Sequence, residues 1–185
     1  MNKPVELHGL SANEGSPDPR LLPYAKPQPW GMVPDMIEQD VLTEDERLWA
    51  PIGEQSWSRP IHLNTTEGFY VHLLKVKRSG VLQRHRHSGA VHAYVIRGCW
   101  YYLEHDWVAE TGSYVFEPPG ETHTLTVPDD CTEMITLFTV HGALIYVDPQ
   151  GQAIGYDDVF TRIEKYRAHF DKVGLGADYV KRFMR

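Results

Sequence analysis

The segment RHRHSGAVH, residues 84–92, places two histidines at alternate positions. In a β-strand alternate side chains lie on one face, so His85 and His87 would point one way and Arg84 and Arg86 the other. Two imidazoles on one face of a strand can bind one metal ion without bending the backbone. The pattern also fits a basic surface patch or a packing feature, because the chain contains 10 histidines. The surrounding sequence has to separate these alternatives.

The elements that would position these histidines are predicted to be β-strands. From about residue 56 the chain consists of short runs rich in Val, Ile, Thr, Tyr and Phe, broken by Gly, Pro and Asp. This alternation is typical of an antiparallel sandwich or barrel. We predict strands near SRPIHL, GFYVHLLKV, VLQRHRH, VHAYVI, CWYYLEH, SYVFEP, THTLTV, TEMITLFT, ALIYV and QAIGY.

The two ends of the chain differ from this β-rich centre. Most of the 13 prolines lie in the first 35 residues, which predicts an extended arm because proline resists both helices and central strands. Thr43 and Glu46 have the spacing of a capping box, which predicts a short helix. Near the C-terminus, DVFTRIEKYRAHF and ADYVKRFM predict two short helices. We therefore expect an arm with a short helix at 1–50, a barrel at 51–156 and a helical extension at 157–185.

Length and charge limit the function classes. A chain of 185 residues fits one domain with ordered extensions. A net charge of -7 provides no overall attraction to nucleic acid or to an anionic membrane surface. No run approaches the roughly 20 consecutive apolar residues of a membrane span, and the first residues lack the apolar core of a signal peptide. We expect a cytoplasmic protein whose two cysteines, Cys99 and Cys131, are buried thiols.

Two blocks of the sequence resemble the two conserved motifs of the cupin superfamily. The first is GVLQRHRHSGAVHAYVIRG, which contains the HxH pair between two glycines. The second block has its motif residues at Gly112, Pro118, Gly120 and His123. The resemblance covers roughly residues 56–150 and implies an all-β fold, a single cupin double-stranded β-helix (jelly-roll) barrel with an extended N-terminal arm and short C-terminal helices. It also implies a metal ion in the barrel mouth, bound by His85, His87 and His123.

The first block departs from the family pattern at the position of its glutamate. That position holds Val91, and the neighbouring His92 lies on the opposite face of the predicted strand. We therefore expect three histidine ligands and no carboxylate ligand. Three imidazoles suit Fe(II), Zn(II), Ni(II) or Cu(II). Because all three ligands are neutral, the ion keeps its full charge and favours an anionic, chelating guest.

The three-histidine pattern resembles that of iron dioxygenases that cleave a carbon–carbon bond beside a carbonyl. Residues 84–125 look most like the 2,4'-dihydroxyacetophenone dioxygenase group, and acetylacetone dioxygenases are more distant relatives. The resemblance implies a non-heme Fe(II) dioxygenase that converts an aryl hydroxymethyl ketone and O2 to an aromatic acid and formate, in aromatic compound catabolism. The ketone and hydroxyl oxygens would chelate the iron. A proton would be lost before dioxygen attacks and the bond breaks.

Two other functions stay open. The first is a non-catalytic zinc-binding regulatory cupin, because zinc accepts the same ligands. The second is a metal-dependent isomerase or lyase acting on a sugar-like substrate, which we consider weaker because such sites more often keep the motif glutamate. Bound iron together with oxygen consumption would separate the dioxygenase from both.

The alternation of side chains along a strand indicates which residues near the histidines could be catalytic. Glu117 lies in the second motif, and Tyr102 and Glu104 share one face of WYYLEHDW. Either acid could orient a ligand histidine or take the substrate proton. Either could instead be a solvated strand-end carboxylate, an alternative that is favoured for Glu104. An apolar cavity wall that fits an aryl group is predicted on the strand VHAYVI, at Val91, Ala93 and Val95, although these residues fit a plain core position equally well.

The expected partners are a small ketone substrate, O2 and a second copy of the chain. Five tryptophans and an apolar segment in the proline-rich arm favour association. We predict a homodimer or homotetramer that uses this arm.

Overall fold

The protein is built around two antiparallel β-sheets of six strands each. The computed structural model describes residues 18–185. In chain order the strands are β1 Ala50–Gly53, β2 Ser56–Asn64, β3 Phe69–Val76, β4 Gly80–His87, β5 Val91–Arg97, β6 Cys99–Tyr102, β7 Ala109–Glu110, β8 Tyr114–Glu117, β9 Thr122–Val127, β10 Met134–His141, β11 Leu144–Val147 and β12 Ala153–Asp157. One sheet has the order β1-β2-β3-β10-β5-β8 and the other β12-β11-β4-β9-β6-β7. The expected all-β jelly-roll barrel is confirmed.

The ten strands predicted from the sequence are all present. The two strands that the sequence did not indicate, β1 and β7, have four and two residues. Such short edge strands carry too few alternating positions for their pattern to be recognised. The strands that carry the histidines and Glu117 were therefore all among those predicted.

The core lies between the inner faces of the two sheets. In β5 the alternation is clear, because Val91, Ala93 and Val95 are buried whereas Tyr94 is exposed. The largest buried side chains of the interior include Trp100, Tyr70 and Tyr102. Removing their apolar surface from water is the main contribution that holds the sheets together.

The C-terminal helix packs on the barrel. Helix α1 spans Val159–Lys172 and begins with a capping box, in which the side chains of Asp158 and Thr161 bond each other's backbone N–H at 2.8 Å. It buries Val159, Ile163, Tyr166 and Phe170 in the same core as the barrel strands. A 3-10 helix, Ala177–Phe183, follows and buries Val180 and Phe183. Both predicted C-terminal helices are therefore present.

The short helix expected from Thr43 and Glu46 is reduced to a 3-10 turn, Glu46–Leu48. Asp45, not Thr43, caps it by accepting a hydrogen bond from the Arg47 N–H at 3.1 Å. The capping-box prediction is wrong because Leu48 and Trp49 enter the core at once and β1 begins at the next residue. No room is left for a second helical turn.

The chain divides into two compact units at Asp35, and Met36–Arg185 forms one of them. In the other, the described residues from Asp18 onward contain a 3-10 helix, Pro19–Leu21, capped by Asp18. Residues 1–17, part of the predicted arm, lie outside the described residues. The division into an arm at 1–50, a barrel at 51–156 and an extension at 157–185 stays a prediction. Within residues 18–185, no helix has the length and apolar character needed to cross a membrane.

Candidate metal centre

His85 and His87 project from β4 into the barrel. Both side chains are buried, at 3% exposure, and their rings lie 4.7 Å apart between centroids. On the other face of the strand, Arg86 is exposed and Arg84 donates a hydrogen bond to Thr124 Oγ1 at 3.0 Å. The alternation expected from the HxH spacing is therefore present in the structure.

His123 comes from the neighbouring strand β9. In the antiparallel pair of β4 and β9 it lies directly opposite His85, so the two side chains share a face. Its ring lies 4.7 Å from that of His85 and 5.5 Å from that of His87, and it is completely buried. The three histidines that the sequence singled out thus meet at one place.

Glu117 joins the histidines from the opposite sheet. It is the last residue of β8, and its cross-strand partner on β5 is Val91, the residue that occupies the glutamate position of the first motif. Opposed residues of an antiparallel pair point to the same side, so Glu117 brings a carboxylate to the side where the motif glutamate would lie. The expectation of three histidines without a carboxylate is corrected here, because the acid comes from the adjacent strand.

The spacing of these four side chains fits one metal ion. One potential ligand atom from each of His85, His87, Glu117 and His123 lies within 4.8 Å of all the others. Glu117 Oε2 is 3.2 Å from His87 Nε2 and 3.5 Å from His123 Nε2. Ligand atoms bound at about 2.1 Å from a shared ion, at tetrahedral or octahedral angles, lie roughly 3.0–3.4 Å apart. The distance of 3.2 Å lies within this range and that of 3.5 Å lies just above it.

The hydrogen bonding of the cluster also fits a metal. Both carboxylate oxygens of Glu117 and both ring nitrogens of His123 are buried without a hydrogen-bond partner, as are Nδ1 of His85 and Nδ1 of His87. Buried polar atoms in folded proteins are almost always satisfied. A bound cation would satisfy one of these atoms from each side chain, and this set of imidazole and carboxylate donors suits a metal ion.

Burial keeps His85 and His123 neutral, as metal ligation requires. It lowers the pKa of His85 well below its usual value, and the neighbouring His87 and His123 lower it further. Burial also lowers the pKa of His123 to about 4, although the Glu117 carboxylate opposes this shift. Their ring nitrogens are therefore free of a second proton at neutral pH.

Tyr102 and Glu104 differ in their distance from this cluster. The Tyr102 ring stacks on His123, with centroids 3.8 Å apart and an interplanar angle of 5°. Burial and the nearby Glu117 charge raise the pKa of Tyr102 well above its usual value, so the phenol stays protonated. Glu104 is exposed and instead accepts hydrogen bonds from Thr124 N at 2.7 Å and Thr124 Oγ1 at 2.8 Å. It contacts the residue after His123 and lies outside the four-residue cluster.

One nearby residue, Glu121, was not assigned to this region from the sequence. Glu121 Oε2 lies 3.9 Å from His123 Nδ1, and Glu121 Oε1 lies 3.0 Å from Nε2 of His105. The proximity of Glu121 to His123, two positions later, was the only signal in the sequence. His92 lies on the outer side of the sheet, as expected, where its Nδ1 and the Tyr114 hydroxyl are 2.7 Å apart.

A cavity of about 30 Å³ adjoins the histidines. It has space for only two or three water molecules, at roughly 10–15 Å³ each. Leu74, Phe138, Val140 and Leu144 provide apolar walls. The residues expected as its aryl-binding wall, Val91, Ala93 and Val95, lie in the core but are not among its lining residues. The cavity's polar lining includes His72, Gln83 and Arg162, none of which the sequence pattern had assigned to it.

Comparisons with known proteins agree with the fold. The sequence profile of the ChrR cupin-like domain matches residues 38–145. An RmlC-like cupin from Ralstonia eutropha is 30% identical, with a TM-score of 0.63 over 68% of this chain and 82% of its own. A second protein from that organism, with a cupin-like fold and unknown function, is 26% identical, with a TM-score of 0.60 over 65% of this chain and 75% of its own.

An acetylacetone dioxygenase from Acinetobacter johnsonii shares the fold at 16% identity, with a TM-score of 0.61 over 80% of this chain and 99% of its own. None of the curated proteins matches the sequence. The profile match includes all four residues of the His and Glu cluster. The chain therefore belongs to the family of ChrR cupin-like domains within the cupin superfamily.

Proposed function

We propose that this cupin is an Fe(II)-dependent dioxygenase that cleaves a carbon–carbon bond next to the carbonyl of a small ketone. The observation that carries the proposal is the set of four buried side chains, with unpartnered ligand atoms, beside an enclosed cavity. A purely structural histidine cluster would be expected to satisfy its own polar atoms. Free space next to the ligands lets a substrate reach the ion, which a catalytic metal site needs and a closed structural site does not.

His85, His87, His123 and Glu117 are the residues that would hold the ion. Bound Fe(II) would supply redox chemistry with dioxygen and would polarise a carbonyl oxygen. The imidazoles contribute neutral ligands, and the one carboxylate leaves the site with a net positive charge. The site therefore retains an attraction for an anionic, enolate-like form of the substrate.

Glu117 is also the group that we assign to move the substrate proton. Its carboxylate is buried within the cluster of ligand atoms, so the oxygen that does not bind the ion would accept a proton from a substrate held beside it. Tyr102 acts as a positioning residue, because its ring packs flat on His123. Leu74, Phe138 and Val140 keep bulk water from the reacting atoms.

Two substrate classes remain candidates within this reaction. The resemblance of the motif region favours an aryl hydroxymethyl ketone, whereas the narrow cavity favours a slimmer 1,3-diketone of the acetylacetone type. Protein purified without oxygen and loaded with iron should consume O2 when given a 2-hydroxyacetophenone or a 1,3-diketone. Oxygen uptake with only one of these compounds would identify the substrate class. Absence of uptake with both classes, in protein shown to contain iron, would contradict the proposal.

A non-catalytic zinc-binding regulatory cupin is the second candidate. It is favoured by Glu117, because three histidines and one carboxylate give zinc a complete set of four ligands. Zinc that copurifies, resists exchange and gives no oxygen uptake after replacement by iron would favour this function. Glu117 also supports the isomerase or lyase alternative, because it supplies the carboxylate that such sites more often contain. Turnover without oxygen would identify it.

A further inference from the structure

Helix α1 brings an arginine into the wall of the metal-site cavity. Arg162 is 3% exposed and lines the same cavity as His85 and His87. Its side chain enters from the helix, whereas the histidines enter from the sheet that contains β4 and β9. A buried guanidinium is costly unless its charge and its donors are matched. The groups around Arg162 therefore show whether its charge and its hydrogen-bond donors are all matched within the protein.

The charges around Arg162 do not balance. Asp157 Oδ2 lies 3.1 Å from a guanidinium nitrogen of Arg162 and accepts a hydrogen bond from the Tyr146 hydroxyl at 2.8 Å. The other carboxylate oxygen of Asp157 bonds Lys165. Burial would raise the pKa of Asp157, but Arg162 and Lys165 hold it below its usual value. One carboxylate thus serves two cations, and the group carries a net positive charge.

A buried donor in this group also lacks a partner. Arg162 Nε has no hydrogen-bond partner among the described residues. The Arg162 guanidinium carbon lies 5.4 Å from the centre of the Tyr70 ring. If Arg162 served only to anchor α1 through Asp157, neither the extra charge nor this free donor would be explained. Both are explained by an anion.

A wider cleft begins where the narrow cavity ends. The cleft has a volume of about 480 Å³ and shares Ile52, Gln83 and Arg162 with the cavity. Its lining contains Lys165, Lys172 and Arg162 but only one acid, Asp157. This local excess of positive charge contrasts with the net charge of -7 of the whole chain. It would attract and orient an anionic ligand.

We propose that Arg162 and Lys165 form a carboxylate subsite, and that the substrate is a small ketone carrying a carboxylate at the end remote from the metal. The inference rests on the proposed function for the role of the ketone. The narrow cavity takes the carbonyl end, and the wider cleft takes the charged end. A guanidinium offers two parallel donors to a carboxylate, which provides orientation as well as affinity.

The test uses two diketones that differ in one group. In 4,6-dioxoheptanoate a carboxylate replaces the terminal methyl group of heptane-2,4-dione. Titration calorimetry on the metal-loaded full chain, without oxygen, measures binding of each. The wild type should bind the anion roughly tenfold or more tightly than the neutral diketone, because a charge-assisted hydrogen bond contributes on that scale.

Variants on α1 assign the preference to residues. Lys165→Gln, at a half-exposed side chain, should weaken binding of the anion severalfold and leave binding of heptane-2,4-dione unchanged. Arg167→Gln is the matched control, since Arg167 lies on the same helix but pairs with Glu164. It should change neither affinity. Arg162→Gln should abolish the preference in protein whose circular dichroism shows it to be folded.

The subsite is contradicted if the wild type fails to bind the anion or binds both diketones equally. It is also contradicted if Lys165→Gln and Arg167→Gln weaken anion binding to the same extent, which would indicate only a general attraction. Binding is measured without turnover, so the carboxylate subsite and the dioxygenase activity are tested independently of each other. If the protein prefers the anion but takes up no oxygen, the dioxygenase proposal is contradicted and the subsite is retained. If it takes up oxygen but shows no preference for the anion, the subsite is contradicted and the dioxygenase proposal is retained.

Discussion

At the scale of single residues, the sequence was sufficient to predict the positions of His85 and His87 but not that of Glu117. The HxH spacing was sufficient to place His85 and His87 on one face of a strand, because side-chain alternation is a local property. The position of Glu117 could not be read in this way. It depends on the pairing of β8 with β5, which puts Glu117 opposite Val91. Pairing between strands separated along the chain is set by the fold and not by local pattern.

The first prediction concerns the Glu117 carboxylate. Glu117→Gln keeps the shape of the side chain but removes its charge, so the affinity for the metal should fall about tenfold or more. Oxygen uptake should be lost and should not return when excess iron restores the metal content, because the amide cannot accept the proton. Metal analysis and an oxygen electrode measure the two effects.

Glu104→Gln is the control for this prediction. Its carboxylate bonds Thr124 and lies outside the metal cluster, so metal content and oxygen uptake should stay near the wild-type values. Equal losses in both variants would contradict the assignment of Glu117.

At the scale of secondary-structure elements, the agreement between predicted and observed strands and helices depends on the length of each element. Ten of the twelve strands and the long helix α1 were predicted, because most of them repeat their pattern several times, whereas the short edge strands β1 and β7 were not. The helix expected at Thr43 was not formed, since Leu48 and Trp49 pack into the core immediately after one turn. A capping signal starts a helix only where the following residues can continue it. Tertiary packing decided the outcome at that point.

The second prediction concerns the docking of α1 on the barrel. Phe170 is completely buried in the shared core, so Phe170→Ala should lower the free energy of unfolding by about 3–5 kcal/mol. Phe160, on the same helix, is 58% exposed, and Phe160→Ala should change it by about 0.5 kcal/mol or less. Urea denaturation of both variants measures the difference. Similar midpoints would show that α1 contributes little to the stability of the fold.

At the scale of the whole molecule, buried histidines couple stability to pH. Burial lowers the pKa values of His72, His85 and His123 below the usual value of 6.5, and that of His123 to about 4. The unfolded chain therefore binds protons that the folded chain does not, at pH values between 6.5 and about 4. Their contribution is fully present above pH 6.5 and decreases as the pH falls through this range.

The third prediction follows from that sign. The urea midpoint of the metal-free protein should be lower at pH 5 than at pH 7.5, with the slope of the transition unchanged. Bound metal should raise the midpoint at pH 7.5, because it binds the folded state. This gain should shrink at pH 5, since protons compete for the ligand nitrogens. A midpoint that stays constant or rises on acidification would contradict the assignment of these histidines as neutral and buried.

The fourth prediction concerns assembly. We propose that the chain forms a homodimer or homotetramer through its proline-rich segment, in which Leu21, Tyr24 and Trp30 are exposed apolar side chains. Exposed apolar groups of this size favour contact with a partner. Light scattering should give two or four times the chain mass of 21.2 kDa. A mass equal to a single chain would contradict this proposal and leave the metal centre unaffected.

The central claim is that His85, His87, His123 and Glu117 hold one metal ion. Its most direct test is the metal content, by mass spectrometry, of wild-type protein, His85→Ala and the matched control His92→Ala, each purified without oxygen. His92 lies on the outer side of the sheet beside Tyr114. About one ion per chain, with iron as the metal, is expected in the wild type and the control, and almost none in His85→Ala. Equal metal in all three proteins, or none in the wild type after loading, would contradict the account.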